Sequence, residues 1–193
     1  MSAFQDVTDL RLAVSEQVGN REISDVLDRL IKTAEDWFNR EVRCMEQLTV
    51  ATLTFTNGLA PYPADYIEVM ALADSFGNPM EAGVRGISKP LQRGYTATPA
   101  GIYIDGFSGT RELEYYAKLP TLTASLTASN WLLQKSPNLY LYAVSLEAAK
   151  WLRDEQLALQ LLQLRAEELS SLNYSDLRSR FGSSIVTTAG YGP

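Results

Sequence analysis

Residues 130–152 read NWLLQKSPNLYLYAVSLEAAKWL, a segment that announces a helix start and then runs apolar around almost its whole circumference. Ser136 supplies a candidate N-cap hydroxyl, and Pro137 follows at the first helical position, where a missing N–H costs nothing. From Asn138 to Leu152 the clearly polar side chains are Asn138, Ser145, Glu147 and Lys150. Leu139, Tyr140, Leu141, Tyr142, Val144, Leu146, Trp151 and Leu152 spread over every face. A helix without a wet face has to be covered, so this one is expected at the centre of the fold, wrapped by the rest of the chain or by neighbouring subunits.

Working outward, the flanks divide into zones. On the N-terminal side, residues 4–46 read as helical: a short helix over 4–18, a break at Gly19-Asn20, and a longer helix from about Ser24. In that second helix Val26, Leu27, Leu30, Ile31, Ala34, Trp37, Phe38, Val42 and Met45 recur at helical spacing. On the C-terminal side Asp154 can cap a further helix. Leu157, Ala158, Leu161, Leu162, Leu164, Leu169 and Leu172 would form its broad apolar face, with Gln160, Gln163, Glu167, Ser170 and Ser171 as its wet stripe. From Tyr174 the sequence YSDLRSRFGSSIVTTAGYGP loses its period and gains Ser, Gly and Thr, the composition of a tail.

The zone from Gln47 to Ser129 differs in kind. It has β-branched runs and six of the eight prolines. LTVATLTFTNG alternates up to a turn at Asn57-Gly58, YIEVMALAD reads as a second strand, and GIYIDG with TRELEYYAKL is expected to form a hairpin around Gly106 to Gly109. The fold class expected is therefore mainly α with a β-rich insertion (α+β). It has a four-helix bundle core from 1–46 and 130–173, the insertion over 47–129 between helices 2 and 3, and an extended C-terminal tail over 174–193.

Composition limits the function. Hydrophobic residues make up 46% of the 193 and charged residues 21%, enough to bury a real core. The 23 acids exceed the 17 bases, and the first 46 residues hold 10 acids against 6 bases. Such a chain has no electrostatic drive to grip nucleic acid, whose affinity comes from Lys and Arg neutralising phosphates. Cys44 is the single cysteine, so an intramolecular disulfide is excluded and a reducing cytoplasm is the expected place of synthesis. The start, MSAFQDVTDLRLAV, has no signal-peptide pattern, and no run is apolar enough to span a membrane, so a soluble protein is expected.

Histidine is absent, which removes the commonest general base and the commonest transition-metal ligand. No catalytic residue, metal or cofactor is expected. Carboxylate pairs occur at Glu35-Asp36, Asp154-Glu155 and Glu167-Glu168 and could in principle run glycoside hydrolysis, but adjacent acids on amphipathic helices are usually a solvated face. Gly83-Val84-Arg85-Gly86 imitates a nucleic-acid loop without the flanking helices such a loop needs, and Arg85, Lys89 and Arg93 could meet an anionic partner or simply be solvated. Cys44, beside Met45, reads as a small packed residue.

Five stretches in one order carry a resemblance: LIKTAEDWFNREVRCME at 30–46, PYPADYIEV at 61–69, TPAGIYIDG at 98–106, LEYYAKLPTL at 113–122 and NWLLQKSPNLYLYAVSLEAAKWLRDE at 130–155. With them the chain resembles, over nearly its whole length, the head-tail adaptor (head-completion or connector) proteins of tailed bacteriophages. The resemblance implies a structural, non-enzymatic virion protein. It would form a dodecameric ring beneath the portal, join the capsid to the tail, and continue a channel through which genomic DNA passes without specific binding. Partners are then other copies of the chain, the portal protein and the next tail or neck protein, with no membrane. The location is the virion neck, after assembly in the host cytoplasm. The tail would reach the portal, with Leu177, Arg178, Arg180, Phe181, Ile185, Val186 and Tyr191 as anchors. Trp37, Tyr140 and Trp151 would serve subunit packing. Asp25, Asp28, Glu35, Asp36 and Glu46 would line the lumen, although an exterior acidic face satisfies the same charge count. The alternative reading is a virion-associated cell-wall-degrading enzyme that uses a carboxylate pair.

Overall fold

A computed structural model describes residues 4–83 and 94–181. The chain forms two compact units, one from residues 1–46 with 119–193 and one from 47–118. The first is helical: α1 (Val7–Gln17), α2 (Leu27–Glu41), α3 (Trp131–Lys135), α4 (Pro137–Trp151) and α5 (Glu155–Phe181). Each of α1, α2, α3 and α5 packs against α4. Leu139, Tyr140, Ala143, Val144, Ser145, Leu146, Ala148 and Ala149 of α4 are all buried, the all-round covering that its sequence demands.

Local chemistry sets the ends of these helices. Asp6 caps α1 by accepting from the amides of Thr8 at 2.8 Å and Asp9 at 3.3 Å. Gly19 (φ 75°) and Asn20 (φ 53°) then leave the helical region and end it. Pro137 does open α4, but the Ser136 side chain makes no capping bond, contrary to expectation. The side-chain cap belongs to Asn130, one short helix earlier, which accepts from the Leu133 amide at 3.0 Å. Asp154 caps α5 through the Leu157 amide at 3.1 Å, after Arg153 turns the corner at φ 57°.

Three sequence expectations are corrected here. Residues 174–181 are the last two turns of α5 and not tail. Serines and an asparagine blur the period, but Leu172 and Asp176 are buried and tie this end down. Residues 119–129 belong to the helical unit, because Leu119 and Leu122 enter its core beside Ile31, Phe38 and Tyr140. Leu162, expected on the inner face of α5, is exposed.

The second unit carries two sheets. β1 (Leu48–Phe55), β7 (Gly109–Ala117) and β3 (Tyr66–Leu72) form one in the order β1-β7-β3. β2 (Leu59–Ala60), β6 (Gly101–Tyr103), β5 (Gly94–Thr98) and β4 (Glu81–Gly83) form the other in the order β2-β6-β5-β4. Asn57 (φ 51°) and Gly58 (φ 86°) make the tight turn after β1 that their dipeptide predicts. The expected hairpin between GIYIDG and TRELEYYAKL does not form. β6 pairs with β5 and β2, whereas β7 pairs along its length with β1, from Leu48↔Tyr116 to Phe55↔Gly109. Leu53, Phe55, Leu72, Ile102, Leu113 and Tyr115 meet in this unit's core.

Candidate functional site

Among the described residues of the helical unit, buried polar groups converge at two places. The first is Glu35, which sequence reading assigned to a lumen. It falls four residues after Ile31 and three before Phe38, on the apolar face of α2, and is only 4% exposed. Its Oε1 accepts from the Leu122 amide at 2.7 Å and the Tyr140 hydroxyl at 3.1 Å, and its Oε2 accepts from the Thr121 hydroxyl at 2.7 Å. Asn130 donates to the Tyr140 oxygen at 3.1 Å and to the Pro120 carbonyl at 2.8 Å, while Asn39 accepts from the Leu119 amide at 2.8 Å. Glu35 therefore staples the chain that returns from the second unit onto α2 and α4. Tyr140, expected at a subunit contact, is wholly enclosed within the chain beside Phe38, with ring centroids 4.7 Å apart. Burial first, and the Glu35 charge second, push its hydroxyl pKa well above the ordinary value.

The second place joins the end of α5 to the turn after α2. Asp176 accepts from the Met45 amide at 2.8 Å and from the Arg180 Nε at 2.6 Å, and Arg180 also donates to the Arg43 carbonyl at 3.1 Å. Cys44, Glu46 and Asp176 bring potential ligand atoms within 4.8 Å of one another. Both carboxylates there are already engaged, Asp176 as described and Glu46 with Lys135 at 2.6 Å. The cluster is a clasp that holds the last turns of α5. Cys44 is buried beneath it, and burial, with the Asp176 charge second, pushes its thiol up to about 11. The native protein is expected to leave Cys44 unmodified by a water-soluble thiol reagent at pH 8, with reaction only as fast as the clasp or the fold opens. Rapid stoichiometric labelling of the native chain would contradict that.

Two members of the other carboxylate pairs, Asp154 and Glu167, are engaged within the fold. Asp154 caps α5 and pairs with Arg21 at 2.5 Å, and that bond, with the Leu157 amide second, holds its carboxyl below the usual range. A general acid needs the opposite shift. Because the folded pKa is depressed, this stabilisation is present above the unfolded value of about 3.9 and is lost as pH falls through the folded value. Asp154→Asn is expected to flatten the loss of stability below about pH 4. Urea midpoints measured from pH 6 to 2.5 check this, and parallel pH profiles for the two chains would refute it. Glu167 is bonded to Gln163 at 3.0 Å.

Asp25 and Asp36 are exposed, and Asp28 pairs with Arg11. Trp37 is half-buried beneath the Arg165 guanidinium, 4.0 Å from its ring centroid, and Trp151 is half-exposed with Arg29 over its ring at 4.9 Å. Leu177, Arg178, Arg180 and Phe181 are helical residues of α5. Ile185, Val186 and Tyr191, like Arg85, Lys89 and Arg93, lie outside the described residues. No helix among the described residues is long and apolar enough to cross a membrane.

A family model described as SU10 adaptor protein matches residues 5–188. The chain belongs to that family of phage head-tail adaptors. No curated protein matches it. As an adaptor it is a virion structural protein that works through contacts with other head and tail proteins. The match runs through both units and includes Glu35 and the clasp.

Sequence reasoning missed Asn130 and the Asp176–Arg180 clasp. The i,i+4 spacing of that acid and base was a visible helix signal inside a segment otherwise read as tail. It also passed over Leu12 and Leu126, which are large, apolar and exposed.

Proposed function

We propose that this adaptor is a non-catalytic ring component of the virion neck. Twelve copies assemble beneath the portal in the host cytoplasm, join capsid to tail, and continue the channel through which DNA passes. The observation that carries the reading is the family match over 5–188, which spans the helical and the β unit together. The acidic balance supports passage of DNA without capture, since exposed carboxylates such as Asp25 and Asp36 offer phosphates no counter-charge. Portal attachment is assigned to residues 182–193, with Ile185, Val186 and Tyr191 as anchors, because the clasp commits the preceding residues to α5. The next neck or tail protein binds the opposite side of the ring.

A chain ended after Phe181 tests this without cutting into the clasp. Mixed with portal rings and imaged by electron microscopy, the full chain is expected to decorate them and the shortened chain to leave them bare, while keeping the same thermal unfolding. Undiminished decoration by the shortened chain would move the portal contact to one of the folded units.

A further inference from the structure

The exposed apolar side chains of the helical unit include Trp151, Leu159 and Leu162 and, apart from these, two further rows. On α1, Leu12 is 62% exposed with Glu16 one turn further along, and Leu126 (68% exposed) lies beside the start of the same helix, where the Thr8 hydroxyl donates to its carbonyl at 2.7 Å. On α5, Tyr174 is 56% and Leu177 53% exposed, with Arg178 one turn after Tyr174. Residues three and four apart share a helix face, so each row presents apolar groups with a charge at its edge. Glu16 and Arg178 have no ion-pair partner among the described residues.

We propose that these rows are the two halves of the contact between successive copies of the chain: Tyr174, Leu177 and Arg178 of one copy seat on Leu12, Glu16 and Leu126 of the next. The inference rests on the ring reading above and deepens it by naming the surfaces. A ring requires a heterologous contact, two different patches that complement each other, and this unit carries two different patches on two helices. Their edge charges are opposite, so Arg178 can meet Glu16 when the apolar groups are in register. A two-fold contact of α5 with itself near Leu177 would instead bring Arg178 against Arg178 and leave the α1 row wet.

Disulfide trapping between full-length chains decides the matter. Chains carrying Leu12→Cys and Leu177→Cys, one bearing a mass tag, are mixed and oxidised with copper phenanthroline. Both sites are exposed, so the substitutions leave the fold intact. The mixed disulfide is expected to exceed each homodisulfide. Adding Glu16→Arg to the first chain, or Arg178→Glu to the second, is expected to lower its yield by about three- to five-fold, and adding both to restore it. Homodisulfides alone, a statistical mixture, or yields blind to the charge reversals would overturn the pairing. If the pairing fails while full chains still decorate portal rings, the adaptor reading stands with different surfaces. If the mixed disulfide forms but portal rings stay bare, the pairing stands and the proposed portal contact falls.

Discussion

Glu35→Ala is expected to lower the unfolding free energy by about 3 kcal/mol, through the loss of a buried carboxylate that satisfies three donors at once. The Leu122 amide is the costly orphan. It sits in the core beside Phe38 and Tyr140, has Glu35 Oε1 at 2.7 Å, and once unpaired carries a desolvation penalty of about 1–3 kcal/mol. The Tyr140 hydroxyl loses its acceptor but keeps the Asn130 donor, and the Thr121 hydroxyl can turn to water, so these add less. Glu35→Gln keeps the volume and one acceptor oxygen and should cost about 1–2 kcal/mol. Asp36→Ala, one residue along and exposed, should stay within about 0.5 kcal/mol of wild type. Urea unfolding of the three variants checks the order, and a Glu35→Ala chain as stable as Asp36→Ala would show that the staple contributes nothing.

That contrast between neighbouring acids also shows what the sequence could and could not reveal. Counting charge put Glu35 and Asp36 in one class. The spacing to Ile31 and Phe38, which that count ignored, is what distinguishes them, because a carboxylate on an apolar helix face has to find donors or remain uncharged. Those donors come from residues 121, 122 and 140, about ninety to a hundred positions away, and nothing local in α2 announces them. The centrality of α4 was legible for the opposite reason: a helix apolar all round has one solution, and its own composition states it. α5 fell between these cases. Its first half is periodic, whereas its last two turns are held by Asp176 and Arg180 on Arg43 and Met45, contacts made by tertiary position rather than propensity.

The β unit failed in the same way. The alternation in GIYIDG and TRELEYYAKL identified strands, but alternation does not choose partners. The residues between them were read as a hairpin turn, while the pairing that forms joins β7 to β1, more than fifty residues earlier at Leu53↔Arg111. For the surfaces the difficulty is sharper. Trp151 and Tyr140 looked alike as interface aromatics, yet one is half-exposed and the other enclosed. The smaller Leu12 and Leu126 prove to be the more open apolar groups, because exposure depends on what the fold leaves uncovered rather than on residue type.

Gly101→Ala is expected to be the more damaging change, costing more than about 4 kcal/mol and unfolding the second sheet. Gly101 sits at φ 145°, a conformation that residues with a Cβ rarely adopt. Conformation alone does not set the size of the effect. Gly77 also has a positive φ, 82°, and a Cβ there would meet nothing within 4 Å, so Gly77→Ala should cost only about 1–2 kcal/mol. At Gly101 the added carbon would overlap the Ala60 carbonyl oxygen, stand 2.8 Å from the carbonyl carbon of Ala60, and lie 3.0 Å from the Pro61 Cα. All of these are backbone atoms and cannot rotate away. Relief requires β2 to separate from β6, which breaks the Leu59↔Tyr103 and Ala60↔Ile102 pairs and withdraws Ile102, fully buried, from that unit's core. Because Glu35 and the clasp belong to the helical unit, far-ultraviolet circular dichroism of Gly101→Ala should keep its helical signal, while amide exchange accelerates throughout 47–118. Wild-type protection across that stretch would show that the sheet tolerates the overlap.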